Sequence, residues 1–136
     1  MLFRSVNLGG AAGVFVGPEA LEMPLAYEAA RDAGATLGAG SIVVFDETSD
    51  LLEMARRVAR FFRDESCGQC VPCRVGTVRQ EESLHRLARG GDAAREFALL
   101  SDVASVMRDA SICGLGQTAA SAVQSAIALG LVGAAR

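Results

Sequence analysis

Apolar residues follow two different rhythms along this chain, and the change falls near residue 48. Ahead of it they come in short runs. Val6 and Leu8, then Val14, Phe15 and Val16, flank the segment Gly9-Gly10-Ala11-Ala12-Gly13. This predicts strand, turn, strand, because glycines free the backbone where it must reverse. Pro24 is expected to open a short helix through Asp32, closed by Gly34. Ser41-Ile42-Val43-Val44-Phe45 is a β-branched run after a Gly-rich turn and reads as a buried strand.

Beyond residue 48 the period becomes helical. Ser49 or Asp50 can cap a helix to about Asp64, whose Leu51, Ala55, Val58 and Phe62 share one face. A polar helix is expected from about Arg74 to Arg89, ended by Gly90-Gly91. Its Val75 and Val78 do not share a face with Leu84 and Leu87. Asp92 can cap another helix with Phe97, Leu100, Ala104 and Met107 on one stripe. A last helix begins after Gly116, with Ala120, Val123, Ile127 and Leu131 aligned.

The fold class expected is mainly α: a helical bundle over residues 49–136, preceded by a partial α/β segment over residues 1–48. The front segment has too few strands to close a sheet alone. The chain has 136 residues, of which 51% are hydrophobic and only 5% aromatic. A packed core of closely spaced helices fits that composition better than a large sheet sandwich. The formal net charge is −3, so no basic field is available for nucleic acid or an anionic membrane. Asn7, Gly9 and Gly10 interrupt the N-terminus too early for a signal peptide. The apolar stretch from Ala126 to Ala135 is too short to span a bilayer. No direct membrane insertion is therefore expected, and a cytoplasmic protein is.

Four cysteines in such a chain point to metal or redox chemistry rather than to disulfides. Three lie in Glu65-Ser66-Cys67-Gly68-Gln69-Cys70-Val71-Pro72-Cys73-Arg74, a C-x2-C-x2-C loop. The fourth lies in Ser111-Ile112-Cys113-Gly114-Leu115-Gly116. The intervening stretch suffices for two helices running out and back, which would return Cys113 to the triplet. A 4Fe–4S cube takes four thiolates, one per iron. The tight loop can offer three of them and a distant segment the fourth. Gly68, Gly114 and Gly116 allow close backbone approach, and Pro72 stiffens the loop. Backbone N–H groups there can bond the sulfurs and tune the potential.

Structural zinc is the alternative, but it commonly uses two separated pairs of ligands. A thioredoxin-type pair needs a strand-to-helix setting, whereas this motif follows a helix. Gly114-Leu115-Gly116-Gln117-Thr118-Ala119 matches a dinucleotide fingerprint, yet that fingerprint works only after a strand. His85, the only histidine, falls on a polar helix and reads as exposed. Arg74 is read either as an offset to cluster charge or as a solvated cation. Phe62 fits the core stripe, and Phe61 stands beside it. The small residues Ala119, Ala122 and Ala126 permit close packing, against a partner or within the chain.

At residues 61–77, 112–116 and 122–127 the sequence resembles the flavoprotein subunit of NADH:quinone oxidoreductase (complex I). The same segments resemble its relatives in NAD-dependent formate dehydrogenases and bidirectional hydrogenases. Residues 38–44 also resemble the strand before that family's helical domain. The resemblance implies that Cys67, Cys70, Cys73 and Cys113 hold a 4Fe–4S cluster and that residues 1–48 end a ubiquitin-like β-grasp domain. Met1 would then start inside that domain, and the chain would be a fragment lacking the FMN- and NAD-binding part. Other subunits of a multi-subunit oxidoreductase, including a 2Fe–2S thioredoxin-like one, are the implied partners, at a site peripheral to a membrane complex. Electron transfer through the cluster is the expected function, with no catalytic residues in this chain. A metal-stabilised module that docks other subunits is the rival reading.

Overall fold

The structure is a computed structural model and describes residues 2–133. Met1, and Ala134 to Arg136 at the end of the apolar C-terminal stretch, lie outside those residues. The chain is mainly helical, with a three-stranded antiparallel sheet at its front. Strands β1 (Phe3–Leu8), β2 (Val14–Val16) and β3 (Ile42–Asp46) are ordered β2-β1-β3. Val6 pairs with Val16 on one side and with Val44 on the other. Helix α1 (Tyr27–Asp32) precedes β3. The bundle follows as α2 (Leu51–Glu65), α3 (Val71–Ala88), α4 (Ala93–Ala110), α5 (Gly114–Thr118) and α6 (Ser121–Ala128).

Two front-end expectations need correction. The strand at residues 41–45 forms, but Ile42, Val43 and Val44 are 50%, 40% and 65% exposed. Sequence alone cannot tell a central strand from an edge one. β1 takes the centre, with Ser5 through Leu8 buried, and β3 is left at the edge. The helix expected from Pro24 starts instead at Tyr27, because Ala26 is extended and caps it. The structure adds a 3-10 turn at Pro18–Glu22, with proline at its start.

The helical boundaries follow capping chemistry. Asp50 accepts the Glu53 amide at 3.0 Å, and Asp92 accepts those of Ala94 and Arg95 at 3.1 and 3.4 Å. Each carboxylate satisfies donors that the first helical turn leaves without partners. Gly90, at φ +82°, ends α3 in the left-handed conformation that glycine takes without strain.

The change of rhythm near residue 48 marks the passage from sheet to helices, but packing is continuous across it. Phe15 and Phe45 of the sheet share a core cluster with Leu51, Ala122, Ala126 and Val132. The Phe15 amide donates to Ser125 Oγ at 2.8 Å. Ala119, Ala122 and Ala126 are fully buried, so the small residues of the last segment serve contacts within the chain. Two further clusters join the helices: Ala55, Ala59, Leu84, Leu100 and Val123, then Phe62, Ala104, Met107 and Ala119.

The last helix is not continuous. It breaks at Ala119-Ala120, where neither glycine nor proline is present. Gln80, buried in α3, donates its side-chain amide to the Ala119 carbonyl at 3.0 Å. A tertiary hydrogen bond thus takes up a carbonyl that a continuous helix would have used. Gln124 likewise donates to the Leu100 carbonyl at 3.1 Å, fastening α6 to α4.

Candidate metal centre

The cysteine loop connects α2 to α3. Ser66 caps the end of α2, and Gly68 turns the chain at φ +80°. α3 starts at Val71, three residues before the expected Arg74, because Pro72 suits a first helical turn in which its missing N–H costs nothing. Cys70 therefore sits at the N-cap of α3 and Cys73 within its first turn. Cys113 is the N-cap of α5. α3 and α4 run out and back between the two cysteine segments, in keeping with their spacing.

All four cysteines line one cavity of about 310 Å³, together with Glu65, Ser66, Gly68, Gln69, Ile112 and Leu115. None is in a disulfide. Cys73 is buried, Cys70 half-buried, and Cys67 and Cys113 are exposed. Among the described residues, no three His, Cys, Asp or Glu side chains converge on a point that one metal ion could occupy. The Ile112 amide, then that of Cys73, draws the Cys70 thiol below its ordinary pKa; partial burial opposes this and the nearby Ser111 hydroxyl adds to it. These groups favour the thiolate, the form that ligates metal.

The glycines divide by role. A Cβ on Gly116 would lie 2.6 Å from Ser111 Cβ and 2.9 Å from Cys73 Cβ. This glycine lets α5 pass directly behind the cysteines. Gly68 is required for its left-handed backbone, and the Arg74 guanidinium lies over it. Gly114 has nothing within 4 Å of an added Cβ, so the close approach expected there does not occur. Arg74 is exposed and donates to the Ser66 carbonyl at 3.3 Å, clamping the loop with a positive charge.

Residues outside the cysteine motifs hold the site together, and no local pattern marks them. Thr77 Oγ donates to the Cys73 carbonyl at 2.8 Å. Gln117 donates to the Ser111 carbonyl at 3.1 Å. Glu96, buried in α4, accepts two bonds from Arg86 at 2.7 and 2.8 Å and one from Ser83. This network ties the end of α3 to the start of α4, beside the turn that joins them. Arg86, and then Ser83, hold the Glu96 carboxyl down at about 2, against an ordinary value of 4.5. A depressed carboxyl stabilises the fold above its unfolded pKa, and that contribution disappears as pH falls from about 4.5 through about 2. Its size is at most about 3 kcal/mol, reduced by solvent screening at half-exposed Arg86. Glu96→Gln should therefore lower stability at pH 7 and flatten its decline between pH 5 and 2, as read by urea denaturation across that range.

His85 is exposed, with Nδ1 3.2 Å from Arg56 Nη2, and takes no part in the cysteine cavity. Phe62 is buried, and Phe61, 48% exposed, packs edge-on against it. The glycine-rich segment at residues 114–119 follows helix α4 rather than a strand, so it lacks the setting of a dinucleotide turn.

Three cysteines from a helix-flanked loop and a fourth from a returning segment, around one cavity, define the class: a helical domain with a cysteine-lined site. The chain belongs to the family described as the NADH-ubiquinone oxidoreductase-F iron-sulfur binding region, whose model matches residues 53–129. It is 37% identical over 119 residues to an NADH-quinone oxidoreductase subunit of Mycobacterium tuberculosis strain H37Rv, covering 88% of this chain and 27% of that protein. It is 33% identical over 116 residues to the NADP-reducing hydrogenase subunit HndC of Solidesulfovibrio fructosivorans, covering 85% of this chain and 24% of that one. The crystal structure of an NAD+-reducing NiFe-hydrogenase in the H2-reduced state superposes with a TM-score of 0.82 at 35% identity. That match covers 93% of this chain and 22% of the other. The chain thus spans about a quarter of the length of the curated relatives it matches. Among the described residues no helix is long and apolar enough to cross a membrane.

Proposed function

We propose that Cys67, Cys70, Cys73 and Cys113 hold one 4Fe–4S cluster that relays single electrons in an NADH-type oxidoreductase. The observation that carries this reading is the gathering of all four cysteines, from segments either side of α3 and α4, around one cavity. Four cysteines around one cavity, three of them from a single tight loop, suit a cube bearing one iron at each corner. Such a cluster, when bound, supplies reversible one-electron storage.

This chain's residues then act by holding and insulating. The cysteines fix position, the Ile112 and Cys73 amides face the Cys70 sulfur, and Arg74 offsets negative charge beside the loop. In this reading residues 1–48 end a β-grasp domain, and residues 49–136 form the cluster-binding domain. Electrons would come from FMN reduced by NAD(H) in another part of the parent protein. They would leave towards further iron–sulfur centres, with a 2Fe–2S thioredoxin-like subunit among the partners of a multi-subunit complex.

The test is anaerobic purification and reconstitution of the chain with iron and sulfide, followed by iron and zinc analysis, optical spectra and EPR during dithionite titration. About four irons per chain are expected, with absorbance bleached on reduction and a one-electron EPR signal. Colourless protein carrying one zinc and no redox signal would overturn the proposal.

A further inference from the structure

Two serine hydroxyls stand against the cysteines, and one of them has no partner among the described residues. Ser66 is buried and lines the cavity, and its Oγ lies 3.4 Å from Cys73 Sγ. Ser111 is also buried, and its Oγ completes no hydrogen bond among the described residues. It is wedged behind the cavity where a Cβ on Gly116 would strike it, beside Cys73. An unpartnered buried hydroxyl is a cost to the fold, and a nonpolar side chain of similar size would avoid that cost. Its position therefore calls for an acceptor, and the atoms of matching chemistry beside it are cysteine sulfurs.

We propose that the hydroxyls of Ser66 and Ser111 are hydrogen-bond donors to the cysteine thiolates, Ser66 to Cys73 and Ser111 to a sulfur of the cysteine set it is wedged against, and that they raise the site's reduction potential. The inference rests on the cluster reading above. A thiolate has no proton to give, so once Cys73 is ionised Ser66 becomes the donor of that pair. Donation to an ionised acceptor strengthens as negative charge grows. Reduction by dithionite adds one electron, breaks no bond and moves no proton. Each hydroxyl keeps its hydrogen and donates more strongly to the more negative sulfur. The reduced state is thus stabilised more than the oxidised one. The two serines are positioning residues, acting through their neighbours' sulfurs.

The experiment compares the reconstituted whole chain with Ser66→Ala, Ser111→Ala and Ser66→Thr. Iron content is measured first, then the midpoint potential by EPR-monitored titration, then the melting temperature of the metal-free chains. Each alanine variant should keep its iron and lose about tenfold in reduced-to-oxidised ratio at a fixed potential, a midpoint about 59 mV lower for one electron. Ser66→Thr, which keeps the hydroxyl, should stay near the parent. Metal-free Ser111→Ala should melt no lower than the parent, because it loses only an unpartnered group. Alanine variants with full iron and unchanged potentials would overturn the role of the serines while leaving the cluster reading intact. A parent chain that takes up no iron would overturn both.

Discussion

Gly116→Ala should abolish stable iron loading while leaving most of the helical signal. The added methyl would lie 2.6 Å from Ser111 Cβ and 2.9 Å from Cys73 Cβ, besides striking the Ser111 hydroxyl. Neither Cβ can move without its backbone. Cys73 is fixed in the first turn of α3, and Ser111 caps α4. Relief must come from displacing α5, which carries Cys113 at its N-cap. The expected cost is at or above the upper end of the roughly 1–3 kcal/mol typical of overpacking. That corresponds to a melting temperature lower by roughly 10 °C. Gly114→Ala is the matched control, since its Cβ would meet nothing within 4 Å. Circular dichroism, thermal melts and iron analysis on the three proteins distinguish local displacement from global unfolding. A Gly116→Ala chain with the parent's iron content and melting temperature would show that α5 can yield without moving Cys113.

Cys113→Ser should have the second large effect, and one of opposite character. Cys113 is exposed and is not part of the core clusters. Replacing sulfur by oxygen there should leave the metal-free fold within about 0.5 kcal/mol of the parent. In the proposed site the loaded protein should change sharply, because one of the four iron ligands would lose its thiolate. Fewer than about four irons per chain and an altered EPR signal are expected on reconstitution. A full complement of iron with unchanged optical and EPR spectra would remove Cys113 from the ligand set. Gly116→Ala therefore injures the fold and the site together, and Cys113→Ser injures the site alone.

Much of this molecule was legible in the residue pattern. The caps at Asp50 and Asp92 were readable because an acidic side chain before an apolar period has one local job, to accept orphan amides. The stripes Leu51-Ala55-Phe62 and Leu100-Ala104-Met107 were readable because a helix repeats a face every three or four residues. The return of Cys113 to the loop followed from there being room for two helices between the cysteine segments. The exposure of β3 was not legible, since centre and edge strands of like composition differ only in what lies beside them. Nor was the buried face of α3, where Thr77, Gln80 and Ser83 lie inward while Val75 is exposed.

The division has one physical cause. By itself the sequence determined that α2, α3 and α4 exist, the acidic caps of α2 and α4, and the chain length that returns Cys113 to the loop, because these depend on local conformational preference and on chain length. Only the tertiary structure decided which polar groups are buried and what satisfies them. Gln80 meets the Ala119 carbonyl across residues 81–118, Glu96 meets Arg86 across the turn between α3 and α4, and Ser111 lies beside Cys73 and Gly116. A buried polar side chain is paid for by a partner that is usually remote in sequence, so its meaning appears only when the chain has folded.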